Sequence, residues 1–163
     1  SPVDATGGSR DAAISLGYTG QRFKDLYLSG GVYLGGTGAA NKLDDYETGT
    51  WTPNIKRQNG TVNASYTVSN PKYTKIGNLV HLSAYIVGMS NGSSDGSNGW
   101  VVTGLPFQGT TYSDVYIGYS DAPFTNAYIG DGGGYLAYLM NGKTGYTGAL
   151  SGQFMLNITY RTV

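Results

Sequence analysis

A chain of 163 residues is large enough for one ordinary domain, or for a small domain carrying a stalk, and too short for two of full size. Ten basic residues balance ten acidic ones and no stretch concentrates lysine or arginine, so the footprint of a nucleic-acid binder is missing and no nucleic-acid partner is expected. Cysteine is absent, which excludes disulfides and thiolate metal sites, while 27 glycines, 15 tyrosines and 12% charged residues suit turn-rich β structure and not helices.

Over residues 1–48, short apolar pairs are cut repeatedly by glycine: Ile14 with Leu16, Leu26 with Leu28, and Val32 with Leu34. Each pair alternates like a strand. Strands this short cannot bury a face alone, so they need neighbours. The phrases Tyr27-Leu28-Ser29-Gly30-Gly31 and Tyr33-Leu34-Gly35-Gly36 echo one another in the manner of fibrous β repeats. Three identical chains wound together give each short strand a partner on another protomer, which makes these six residues the expected seam of a homotrimeric stem. The alternative is a flexible glycine-rich leader, although such linkers are usually polar throughout.

A polar hinge over 42–47 leads into a head domain expected at 49–163. Strands are predicted at 64–69, 72–76, 79–88, 100–103, 114–119, 126–130, 134–140 and 152–161. Gly77-Asn78 joins the second and third of these as a two-residue hairpin loop. Short strands at this spacing predict an all-β fold: an antiparallel β-sandwich head, jelly-roll-like, preceded by a short intertwined β stem.

Four phrases in order, 22–46 (Arg-Phe-Lys-Asp-Leu-Tyr-Leu-Ser-Gly-Gly and onward), Gly49-Thr-Trp-Thr-Pro53, Tyr73-Thr-Lys-Ile-Gly-Asn-Leu-Val80 and Gly104-Leu-Pro-Phe107, resemble the distal C-terminal region of bacteriophage tail fibres. The resemblance implies a trimer with a slender stem, a β-sandwich head that touches the host surface, a place at the tip of a virion fibre, and further fibre N-terminal to this segment. Residues 108–150 match no pattern of that family, so the receptor stays open.

Catalytic constellations are weak. His81 is the sole histidine and no Gly-x-Ser-x-Gly phrase accompanies it, so it reads as structural or solvent-facing. Gly36-Thr-Gly-Ala-Ala40 lacks the third glycine of a dinucleotide loop. Asp44, Asp45 and Glu47 could gather around a cation on a threefold axis, but a solvated turn explains them more simply. Past the hinge, the acids Asp95, Asp114, Asp121 and Asp131 offer no favoured pair for glycoside hydrolysis. No enzyme, cofactor or metal is therefore expected.

Tyrosine is the better clue, since its rigid apolar face and polar tip suit stacking on a sugar. Alternation over 114–120 puts Val115, Ile117 and Tyr119 on one face and Tyr116 on the other, with Tyr116 the exposed ring; Tyr128 also points outward. Tyr112, Tyr116 and Tyr128, with Asn91, Asp95 and Asn98 of a wholly polar loop, are the candidate receptor contacts. The alternative packs the tyrosines into the trimer interface, whereas Trp51 and Trp100 read as core or interface anchors. The expected function is adhesion to a host cell-surface glycan or outer-membrane protein. The rivals are a purely structural trimerising cap, a standalone lectin-like domain and, further off, a glycan depolymerase.

Overall fold

The computed structural model describes residues 5–8, 10–60, 63–91, 98–110, 113–129, 136–141 and 144–162. Among them there is no α-helix, only a 3-10 turn at Ala39–Asn41. Two short strands, β1 (Val32–Tyr33) and β2 (Lys42–Leu43), pair in the N-terminal segment. The head holds β3 (Tyr46–Thr50), β4 (Asn54–Arg57), β5 (Ser65–Ile76), β6 (Leu79–Asn91) and β7 (Trp100–Thr103). It continues with β8 (Ser113–Ser120), β9 (Asn126–Ile129), β10 (Leu136–Asn141), β11 (Thr144–Gly145) and β12 (Leu150–Arg161). All their pairings are antiparallel.

Period-two alternation builds the central strands. Val80, Leu82, Ala84 and Ile86 of β6, and Phe154, Leu156, Ile158 and Tyr160 of β12, are buried, and the residues between them face outward. The hairpin at Gly77-Asn78 forms as the sequence predicts: Ile76 pairs with Leu79, and the first loop position has φ +56°, which glycine adopts without penalty.

The sheet runs β3-β5-β6-β12-β8-β9-β10-β7-β4, with β11 attached to β10. Its last strand returns to its beginning: Ala64 donates its N–H to the Ile55 carbonyl at 2.9 Å and Lys56 bridges Asn63, so β4 meets the residues leading into β5. The two halves of one coiled sheet thus share a core of Ile55, Trp100, Val102, Ile129 and Leu139 on one side and Val80, Leu82, Ile86, Phe154, Leu156 and Ile158 on the other.

Two predicted strands, 64–69 and 72–76, are one strand with a bulge. The register with β6 shifts between Ser69 and Lys72, where Asn70 has φ +51° and Pro71 has no N–H to lose. Trp51 reaches this bulge and donates its indole N–H to the Ser83 carbonyl at 3.0 Å. The hinge expected over 42–47 is shorter: Tyr46 and Glu47 pair with Ile76 and Lys75, so the head's sheet begins at Tyr46.

In the N-terminal segment, Ile14, Leu16, Leu26 and Leu28 lie in no strand of the single chain, and Val32 alone of the six expected seam residues does. All six are exposed, Leu16 to 78%.

Gly104 turns the chain out of β7 with φ +87°, and a Cβ there would collide with the Thr52 carbonyl oxygen. Gly104→Ala is expected to lower stability by about 1–3 kcal/mol, read as a lower urea midpoint; an unchanged midpoint would contradict this account of the turn.

Candidate functional site

The antiparallel register sorts the loops into two ends. The chain enters at the base, where the Gly77-Asn78 hairpin and residues 104–110 also lie; the loops after β4, β6, β8 and β10 sit at the far end. Residues of all four phrases quoted above, Asp45, Gly49, Tyr73 with Lys75, and Phe107, converge on the base. Gly49 leaves room for the Tyr73 ring, which meets Phe107 edge-on with centroids 5.4 Å apart. Lys75 is buried, lies 5.4 Å from the centre of the same ring and pairs with Asp45. Tyr160 donates its hydroxyl to the Phe107 carbonyl at 2.9 Å, and the Asp45 carbonyl accepts the Gly77 N–H at 2.7 Å. These contacts tie the entering chain to the sheet.

The acidic run is likewise engaged. Lys42 donates to Asp44 at 2.9 Å, and this hydrogen bond, with the lysine's charge, holds Asp44 below the usual carboxylate range and raises Lys42. Among the described residues no three His, Cys, Asp or Glu side chains gather as a metal site.

At the far end, Arg57 is 1% exposed. Its guanidinium donates to the carbonyls of Asn98 (2.7 Å), Thr147 (2.8 Å) and Gly148 (3.4 Å) and lies 4.1 Å from the centre of the Trp100 ring. Trp100 in turn donates to the Gly148 carbonyl at 2.8 Å. One buried cation thereby ties the loop after β6 to the segment before β12. Asn98 contributes through its main chain, a structural part in addition to any at a receptor.

The outer face of β6, β12 and β8 is the candidate site. Ser83, Asn157 and Tyr116 are cross-strand neighbours in one row, extended by Lys72 of β5. A second row runs Thr74, His81, Thr159, with His81 Nδ1 3.0 Å from Thr159 Oγ1. A groove of about 490 Å³ is lined by His81, Tyr116, Asn126, Asn157 and Thr159, and a smaller one of about 180 Å³ by Asn70, Ser83, Tyr85, Met155 and Asn157. Asn157 belongs to both.

Tyr116 is 70% exposed on this face, as alternation predicts. Tyr128 is half-buried on the neighbouring β9, opposite Asp114. Asn91 closes β6 at the far end, so it and Asn98 are not brought to the Tyr116 row. Tyr112 and Asp95 lie outside the described residues.

The expectation for Tyr119 is corrected. It is 55% exposed, not turned inward with Val115 and Ile117, because β8 bulges against β12: Leu156 faces Ile117 but Phe154 faces Ser120. The extra residue flips the alternation beyond Gly118. Met155, Gln153 and Asn157 were not singled out from the sequence; a glycine inside a strand pattern was the available signal of a bulge. Gln153 is fixed by Tyr85, whose hydroxyl donates to Oε1 at 2.5 Å, and by Asp121, whose Oδ1 accepts the Gln153 main-chain N–H at 2.5 Å. Its Nε2 reaches Asp121 Oδ2 at 3.4 Å and the Tyr119 hydroxyl at 3.5 Å.

No family model, characterised protein or solved structure matches this chain.

Arg57→Met removes the donor to three carbonyls while keeping much of the side-chain volume. The expected loss is about 2–4 kcal/mol, seen as a lower melting midpoint; a midpoint within error of wild type would contradict the pinning role.

Proposed function

We propose that this chain is the tip of a bacteriophage tail fibre, a homotrimeric adhesion module and not an enzyme, that attaches the virion to a host cell-surface glycan or outer-membrane protein. In this reading residues 14–43 intertwine with two further copies as a β stem, and the coiled sheet forms a jelly-roll-like sandwich head. The observation that carries it is apolar surface the single chain leaves open. Ile14, Leu16, Phe23, Leu26, Leu28, Val32, Leu34 and Leu43 are all exposed, and so are Tyr46, Ile76 and Leu79, a cross-strand row at the head's base. So many large apolar side chains left exposed in one chain mark an interface.

A second copy is the fitting occupant because the segment's phrases echo one another and, β1 with β2 apart, its apolar pairs fall in no strand of the single chain. The head's buried core supports a carrier for contacts, and its outer face offers tyrosines and amides with few charges. Three such faces per trimer make weak individual contacts sufficient through effective concentration. A purely structural cap would need no such face.

Leu28→Asp with Leu34→Asp places three pairs of charges in the proposed seam. The expected result is a monomer in sedimentation, with the head still folded, and retention on a panel of bacterial strains reduced about tenfold or more as avidity is lost. Unchanged sedimentation would overturn the stem assignment, and equal retention on cells would overturn the multivalent adhesion.

A further inference from the structure

We propose that the bulge of β8 at Gly118 forms a binding notch for a neutral pyranose of a bacterial surface polysaccharide. This deepens the adhesion reading and rests on it. A Cβ built at Gly118 would stand 3.6 Å from the Tyr116 ring, 3.6 Å from Met155 Cβ and 3.9 Å from Asn157 Nδ2, so the missing side chain leaves a depression walled by these three groups. Tyr116 and Tyr119, the outward rings before and after the glycine, are both more than half exposed, and Met155 is 45% exposed. Without the bulge, Tyr119 would turn into the core and the second ring would be lost.

The chemistry around the notch fits a sugar. Aromatic faces and a thioether cover the C–H face of a pyranose, and hydroxyls need donors and acceptors held at fixed places. Asn157 supplies an amide beside the notch, and Gln153 a second amide locked by Tyr85 and Asp121. The two grooves meet at Asn157, so a linear chain has a path on either side of the notch. The row Lys72, Ser83, Asn157, Tyr116 spans four strands, about 15 Å at the usual strand spacing, a length suited to several sugar units. A neutral sugar fits the charge balance: Asp121 lies next to Gln153 and Tyr119, where an acidic sugar would be repelled, and the one cation of the row, Lys72, stands at its opposite end.

The glycine allows a clean test. Gly118 has no positive φ, and a Cβ there meets its neighbours at 3.6 Å, an ordinary van der Waals distance, so the backbone accepts a side chain and Gly118→Val adds two methyl groups to the space between Tyr116, Met155 and Asn157. The full chain, Gly118→Val and Tyr116→Ala would be applied to an array of neutral and acidic bacterial polysaccharides and to whole cells, with solution mass and melting midpoint measured for each. The expected result is wild-type binding to neutral polysaccharides, weakened about tenfold or more by either substitution, with mass and midpoint unchanged. Gly118→Val binding like wild type would overturn the notch, as would selective binding of acidic polysaccharides. Wild type binding cells but no polysaccharide would overturn the notch and point to a protein receptor, leaving adhesion standing. Binding to neither cells nor polysaccharides would overturn both readings.

Discussion

A ten-stranded antiparallel sheet has two raw edges, and this chain bends the sheet until one of them, β4, meets the residues that lead into β5. Such curvature over strands of twelve and thirteen residues demands interruptions of the ladder. The chain supplies them at Asn70-Pro71, at Gly152 and at Gly118. Each has a second consequence. The first brings Trp51 to the Ser83 carbonyl, the second seats Gly152 against Asp121, and the third turns Tyr119 outward. The candidate site is therefore a by-product of closing the core.

The two ends of the head divide the work. At the base, Gly49, Tyr73, Lys75 and Phe107 form one joint where the chain enters. At the far end, Arg57 and Trp100 hold the loops by their carbonyls. Between these two fixed ends the outer face of β6, β12 and β8 is free to carry variable chemistry, since its side chains support no part of the core. The segment read from the sequence as matching no pattern, 108–150, contains β8 and its tyrosines.

Much of the architecture is legible because it is local. Alternation over 79–88 and 152–161 and the Gly77-Asn78 loop need only period two and a glycine. What escapes is set by distant partners. Tyr46 and Glu47 read as hinge because they carry no apolar alternation; β5 makes them the start of a strand. Asn70-Pro71 reads as a break between strands, whereas the long partner β6 carries one strand through it. Arg57 falls outside every predicted strand, and only the fold reveals the carbonyls that enclose it. For the site, Tyr116 follows from alternation, but Tyr119, Met155 and Asn157 depend on register across β8 and β12, which no single-strand pattern contains.

Association is the central proposal, because the exposed apolar residues of 14–43 mark an interaction surface. Light scattering of the full chain measures it directly. A mass three times the 17.2 kDa of one chain, independent of concentration over the working range, is the expected result. A stable monomer with the same residues exposed would contradict it.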